Sequence, residues 1–288
     1  MQINEDYDYC RQIIKSHSKS FYYGFSQLPE DEAKAVYAIY AFCRTADDIV
    51  DGNESEAEKR EALQLLLQQI DSFEHGEQID HPMWRALADV RNKFPLDLAM
   101  FRKQVTGQMM DLDFRQPATI EDLYHYSSHV AGSVGELLYP ILAGQDTQAG
   151  RKAADNLGIA MQITNILRDI GEDHREKQRI YIPKSMMQTY QYTEQNLINQ
   201  EINEAFIVMW EALAQDAEDR YNRFYPHLID YNRESRQPLL VAALIYAEIL
   251  NEVRRNNYNC LTRRNKVSLI SKKKISTIAL QILKEEHT

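Results

Sequence analysis

Asp47 and Asp51 stand four residues apart in the run Arg44-Thr45-Ala46-Asp47-Asp48-Ile49-Val50-Asp51. At helical pitch they share one face, and Tyr40 and Arg44 fall on the same stripe. A second stripe holds Gln162, Asn165, Asp169 and Asp173, spaced three, four and four. The other faces of that segment carry Met161, Ile163, Ile166, Leu167 and Ile170, and Gly158 continues the polar line where a missing side chain leaves room. Asp111 supplies a third carboxylate, on one face with Gln104 and Gln108.

A lone DxxxD pair is ordinarily a solvated helix face. Two copies with apolar flanks are different, because ionisable groups in such surroundings are costly unless paired or metal-bound. Two carboxylates ~4 Å apart at an effective dielectric near 20 repel by about 4 kcal/mol. Several in one cavity therefore imply bound cations. All-oxygen ligands select hard ions, and Mg²⁺ takes one or two carboxylates plus phosphate oxygens. Opposed aspartate pairs thus suit a diphosphate clamp, in which metal neutralises the leaving group as its C–O bond breaks. A di-iron carboxylate cage would need Glu-x-x-His spacing, and none of the eight histidines has Glu three residues before it.

Other residues have two readings each. In His17-Ser18-Lys19-Ser20-Phe21, the lysine and two hydroxyls could grip phosphate, or the run is a charged loop. Arg44 and Arg168 could contact phosphate or pair with their own helix's aspartates. Tyr126, Val130 and Val134 form an i, i+4, i+8 stripe near Gly132, Gly135 and Glu136. The two glycines cost ~1 kcal/mol each in a helix, for either close helix packing or clearance for a long apolar chain. Ring faces among the 17 Tyr and 9 Phe could stabilise carbocations, though most must be core.

Helices must position these residues. Pro29 followed by Glu30, Asp31 and Glu32 reads as a helix start. From Ala33 to Asp51 the spacing predicts a helix, apolar on nearly every side up to Cys43 and so buried mid-bundle. Glu54–Phe73 is amphipathic. Further helices are predicted near 83–92, 96–114, 120–143, 150–174, 192–225, 234–256 and 271–285, with Pro140 and Pro183 near helix ends. Strand-like alternation is missing, so the fold class is all-α. No linker or tandem repeat divides the sequence, which predicts one domain over 1–288.

The 288 residues, only 10 Gly and 8 Pro, and 44% apolar content agree with long helices around a large core. A formal net charge of −10 excludes general nucleic-acid binding. The balance is uneven: Arg263, Arg264, Lys266, Lys272, Lys273, Lys274 and Lys284 face only Glu285 and Glu286. That basic tail is a solvated tail, a flap over an anionic substrate, or a patch on anionic lipid. Cys10, Cys43 and Cys260 lack zinc or redox spacing and fit reduced thiols in the cytoplasm. The acidic start, with Glu5, Asp6 and Asp8, is unlike a signal peptide. No apolar run reaches the ~18 residues of a membrane span.

Taken together, these segments resemble the squalene/phytoene synthase family over nearly the whole chain. The resemblance rests on HSKSF at 17–21, LPEDEAKAVYAIYAFCRTADDIVD at 28–51, GQMMDL at 107–112, YSSHVAGSVGE at 126–136, NILRDIGED at 165–173 and RIYIPK at 179–184. The compact length and the HSKSF form look most like bacterial dehydrosqualene (diapophytoene) synthases. The resemblance implies the isoprenoid-synthase helical bundle with a central cavity, and a head-to-head prenyltransferase using two or three Mg²⁺ per site. One prenyl diphosphate would ionise, and its cation would be captured by the double bond of a second. The resulting cyclopropylcarbinyl diphosphate (presqualene diphosphate, for C15 substrates) would ionise, rearrange and lose a proton, with no NADPH.

Position by position, the resemblance implies metal ligands at Asp47, Asp51, Asp169 and Asp173. Asn165 joins the metal set, and Gln162 and Asn165 support diphosphate or metal-bound water. It places His17, Lys19, Ser20, Arg44, Arg168, Tyr246 and Arg264 on diphosphate, and Tyr40, Asp111 and Tyr126 at further pocket positions. The aspartate pairs, Arg168 and Tyr126 would be catalytic. Phe21, Phe25, Val130 and Val134 would line hydrocarbon channels. A bulky Phe25 should shorten a channel and favour C15 farnesyl over C20 geranylgeranyl diphosphate. The rivals are phytoene synthase, squalene synthase with NADPH, a terpene cyclase or chain-elongating prenyltransferase, and an inactive relative serving assembly or lipid binding. DxxxD twice, rather than DDxxD, favours head-to-head joining, and an inactive relative should have lost aspartates. A water-insoluble product predicts loose membrane contact through the basic tail.

Overall fold

The computed structural model describes residues 2–285, and among them there is no strand. In chain order the helices are α1 Gln2–His17, α2 Lys19–Phe25, α3 Glu30–Asp51, α4 Glu56–Glu74, α5 Pro82–Lys93, α6 Leu98–Leu112 and α7 Ile120–Ser127. A π-helical turn, Ser128–Gly132, joins α7 to α8, Ser133–Ala143. Then come α9 Gln148–Lys177, α10 Lys184–Thr189, α11 Glu194–Ile198 and α12 Glu204–Phe224. A 3₁₀ turn, Tyr225–Asp230, precedes α13 Arg233–Arg255 and α14 Leu269–Glu285. Glu286, one counter-charge of the basic tail, lies outside the described residues.

The expected central helix is there. Ala35, Val36, Ala38, Ile39, Ala41 and Phe42 are almost fully buried, and α3 packs against α1, α5, α6 and α8. Around it Phe42 meets Trp84 and Phe101 edge-on, at centroid distances of 5.7 and 4.7 Å. The second central helix, α9, packs on α8, the π turn, α12 and α13. The amphipathic α4 buries Leu63, Leu66, Ile70 and Phe73 and starts on a Ser55–Glu58 capping box.

Three local features depart from the expectations. The helix predicted over 192–225 is broken, because Thr193 caps α11 through Asn196, Gln200 takes φ 57°, and Asn203 caps α12 at Phe206. These side chains satisfy backbone groups that a continuous helix would have used. The chain ahead of Pro29, with no predicted helix, forms α1 and α2, leaving Ser18 as the cap between them. The Tyr7, Cys10, Ile14 spacing was the available signal, and Arg85 clamps the buried Asp6 to hold α1 on α5. The 120–143 helix is interrupted by the π turn, a wide turn common at functional sites. All three cysteines are free and buried. No helix among the described residues is long and apolar enough to cross a membrane.

Candidate active site

The last turns of α3 and α9 bring the two aspartate pairs to the walls of one polar cavity, with Asp111 of α6 on a third wall. The periodic stripes become a site because apolar residues on the remaining faces bury both helices in the bundle, which leaves the polar stripes on the walls of one cavity. Gly158 lets α9 approach the π turn closely. A Cβ on Gly158 would meet the Ala131 carbonyl at 2.4 Å, and one on Gly135 would meet that of Ala154 at 2.3 Å. Close helix packing is thus the constraint on these glycines, Gly132 included, where a Cβ would strike Asp155.

The four aspartates are not equivalent. Asp51 pairs with Lys177 at 2.9 Å. Asp169 accepts from Arg168 Nε at 2.8 Å and lies 3.4 Å from Arg264 Nε. Asp47 and Asp173 have no ion pair among the described residues. Asp47 accepts instead from Gln108 Nε2 at 2.6 Å. Burial pushes Asp47 up to about 7, with Asp51 and Asp111 adding to the rise against Arg44. Burial likewise pushes Asp173 up to about 7, reinforced by Asp169. Arg44 and Lys177 offset these rises only in part, and neither carboxylate gains an ion pair among the described residues.

The residues present fit a hard divalent cation. No three acidic, His or Cys side chains among the described residues converge on a single ion position. Each ion would take one or two carboxylates and complete its shell with phosphate oxygens and water, as Mg²⁺ does. Asn165 Oδ1 is buried without a partner in the same cavity, a free oxygen donor of the right kind. Arg44 pairs along its helix with Asp48, yet its Nε is buried and unpartnered facing this cavity.

Asp111 is held differently. It accepts from Tyr181 at 2.7 Å and Tyr126 at 2.9 Å, with Arg179 Nη1 3.7 Å away. Burial raises it, opposed by Arg179 and the two phenols. Tyr126 stacks on Tyr181 at 5.1 Å, and burial keeps its phenol protonated.

An apolar cavity continues from this polar one, and Asp47, Val130, Gln162 and Asn165 line both. Its wall on α9 runs from Asn165 back to Ala154, ~16 Å at 1.5 Å per residue. Tyr246 sits at the junction, where burial pushes its phenol up against the charge of Arg168 and a hydrogen bond with Ser18. Along α2, Ser18, Phe21 and Phe25 line the cavity in succession. Phe25, 2% exposed, stands about two helical turns, ~10 Å, along this wall from Ser18. Phe21 packs on Phe25 at 5.1 Å and on Tyr246 at 5.4 Å. Tyr40 and Val134 also line this cavity.

The HSKSF run reaches the cavities through Ser18 and Phe21, while His17 and Lys19 are exposed at the rim and Ser20 is half-buried outside the lining. Gln108, Tyr181 and Lys177 line the polar cavity, and the motifs assign none of them a role. Gln108 was signalled by its face with Asp111, and Tyr181 by its place in RIYIPK. From the tail, Arg264 folds inward to Asp169 and Glu172. Lys272 is buried, and burial and the charge of Lys19 push its ammonium down.

An all-helical bundle with two aspartate pairs at the mouth of an apolar cavity is the architecture of an isoprenoid synthase. Residues 14–271 match the squalene/phytoene synthase family, and the chain belongs to it. It is 36% identical to a 4,4'-diapophytoene synthase of Staphylococcus haemolyticus, over 95% of each chain. It is 33% identical to a 15-cis-phytoene synthase of Synechococcus elongatus, over 91% of this chain and 88% of that one. The crystal structure of a dehydrosqualene synthase in complex with ligand superposes with a TM-score of 0.93 at 40% identity, covering 98% of each chain. The chain is thus a head-to-head prenyltransferase of isoprenoid synthesis, in a family that is divalent-metal-dependent and uses prenyl diphosphates.

Proposed function

We propose that the enzyme joins two farnesyl diphosphates head to head into dehydrosqualene, with Mg²⁺ and without a reductant. The observation that supports the chain length is Phe25, a buried ring on the wall of the prenyl cavity. A C15 chain ends where this ring stands, and a C20 chain would need the ring's volume.

Two or three Mg²⁺ bound by the aspartate pairs would neutralise the diphosphate as the C–O bond breaks. Asp47 and Asp173 supply the carboxylates that have no other cation. Arg44, Arg168 and Gln162 on the polar wall, Tyr246 on the apolar one and Arg264 beside Asp169 orient the diphosphate. Asn165 offers its unpartnered amide oxygen to metal or metal-bound water. Asp111, fixed by Tyr181, holds Tyr126 in place as a neutral phenol on the wall of the polar cavity. The apolar walls formed by Phe21, Phe25, Val130 and Val134 keep water from the allylic cation, so that it is captured by the double bond of the second substrate. Loss of a proton closes the cyclopropane of that product, and departure of its diphosphate, rearrangement and loss of a second proton then leave the central double bond.

The similar identity to a phytoene synthase favours a second reading, geranylgeranyl diphosphate as substrate. Mass spectrometry of products decides between them, using purified enzyme, Mg²⁺ and either substrate, with and without NADPH. The proposal expects a C30 hydrocarbon from farnesyl diphosphate without NADPH. A C40 product as the main outcome, or squalene formed only with NADPH, overturns it.

A further inference from the structure

From Arg263 to Lys284 the chain carries seven basic residues and no acidic one, in a protein of net charge −10. The structure divides these charges. Arg264 and Lys272 turn inward, as described above. Lys266, Lys273 and Lys274 are exposed and make no ion pair with a described residue. Beside them Leu269 and Ile270 are 73% and 70% exposed, the highest values for large hydrophobic side chains among the described residues.

Single exposed apolar residues are ordinary. Here two adjacent ones open a helix whose inner face, Lys272, Ile275 and Ala279, is already buried against the bundle. Ile270, Lys273, Lys274 and Ile278 fall on the opposite, outward face. The position is also particular. Lys272, within this first turn, lies near enough to Lys19 to feel its charge, and Lys19 is the neighbour of Ser18, which lines the prenyl cavity. The helix α13, on which α14 packs, also packs on α2 and lines that cavity with Leu239 and Tyr246.

We propose that the first turns of α14 dock on an anionic lipid bilayer, with Leu269 and Ile270 entering the headgroup boundary and Lys266, Lys273 and Lys274 meeting lipid phosphates. Lysines beside a short apolar edge are the composition that binds such a surface. Charge complementarity selects the lipid. The rest of this acidic protein is repelled by an anionic bilayer, so this face alone orients the contact. The docking sets the prenyl cavity close to the phase in which a hydrocarbon product dissolves. It rests on the family's chemistry and not on the choice between C15 and C20 substrates.

Flotation of the full chain with phosphatidylcholine vesicles, with and without phosphatidylglycerol, tests this. The wild type should float with the anionic vesicles, and high salt should release it. K273Q/K274Q should weaken partitioning about 25-fold, at about five-fold per lysine (~1 kcal/mol). L269S/I270S should also weaken it, and both variants should keep the wild-type melting temperature, since these side chains are exposed. Equal flotation with neutral vesicles, no flotation at all, or binding unchanged in both variants overturns the proposal. Retention of wild-type binding by L269S/I270S alone would overturn the insertion of the apolar pair.

Discussion

Lys177 Nζ lies 2.9 Å from Asp51 Oδ1, and so ties the last turn of α9 to the last turn of α3. The ion pair spans the mouth of the polar cavity between the two aspartate motifs. Both side chains are about one-third exposed, so the pair is worth no more than about 1 kcal/mol. Its consequence is competition, because any cation binding Asp51 must displace the ammonium. Lys177→Gln should lower the Mg²⁺ concentration for half-maximal activity about three-fold, with the melting temperature nearly unchanged. A metal titration with an unchanged or higher midpoint would show that Lys177 helps rather than competes.

Asp47 and Asp173 are the carboxylates without an ion pair, and removing either charge should disable the site. Asp47→Asn and Asp173→Asn should each lower turnover by about 10²-fold or more, as loss of a transition-state charge contact does. The metal-free variants should melt no lower than the wild type at pH 8, since each loses a buried unpaired charge. Near-normal turnover in both variants would remove these residues from the reaction.

Their titration has a thermodynamic sign. Both folded-state values, about 7, lie above the unfolded carboxylate value of about 3.9. Between those values the native chain binds more protons than the unfolded chain. The metal-free stability contributed by these groups is thus complete below pH ~4 and is lost as pH rises through ~7. Mg²⁺ replaces the protons, so its increase in melting temperature should be larger at pH 8 than at pH 6. Calorimetry at the two pH values checks this, and an equal metal effect would contradict it.

Phe25, buried on the wall of the apolar cavity, is proposed to end the prenyl channel, so Phe25→Ala should lengthen it. The variant should raise the C40 share of product when given geranylgeranyl diphosphate, at a stability cost of up to about 3–5 kcal/mol. Volume opening onto an existing cavity can take up a longer chain. An unchanged product length distribution would mean that another residue ends the channel.

Tyr181 donates to Asp111 beside Tyr126 without lining the apolar cavity. Tyr181→Phe removes one hydrogen bond to a buried carboxylate, worth about 1.5–3 kcal/mol. Turnover should fall through the misplaced Tyr126, with KM little changed. An effect on KM alone would assign Tyr181 to substrate binding instead.

Much of this site was legible in one dimension. The stripes at Asp47–Asp51 and Asp169–Asp173 follow from helical periodicity, and their apolar flanks already implied buried helices facing a charged ligand. Helix type, the all-α class and the family resemblance come from local pattern and motif, because 3.6-residue periodicity is a property of the chain itself. Packing between distant segments decided the rest. Only the approach of α6 to α3 puts Gln108 on Asp47, and only the turn after α9 brings Tyr181 to Asp111. The resemblance pointed to Ser20, whereas the cap between α1 and α2 put Ser18 on the cavity wall. The sequence offered two reasons for the glycines, and the approach of α9 to the π turn chose packing. It offered one basic tail, and the docking of α14 on α13 buried Lys272 and left Lys273 and Lys274 outside, while Arg264, ahead of α14, reaches Asp169 and Glu172. Contacts of this kind depend on which helix faces meet, and that is set by the burial of the whole core at once rather than by any segment's own pattern.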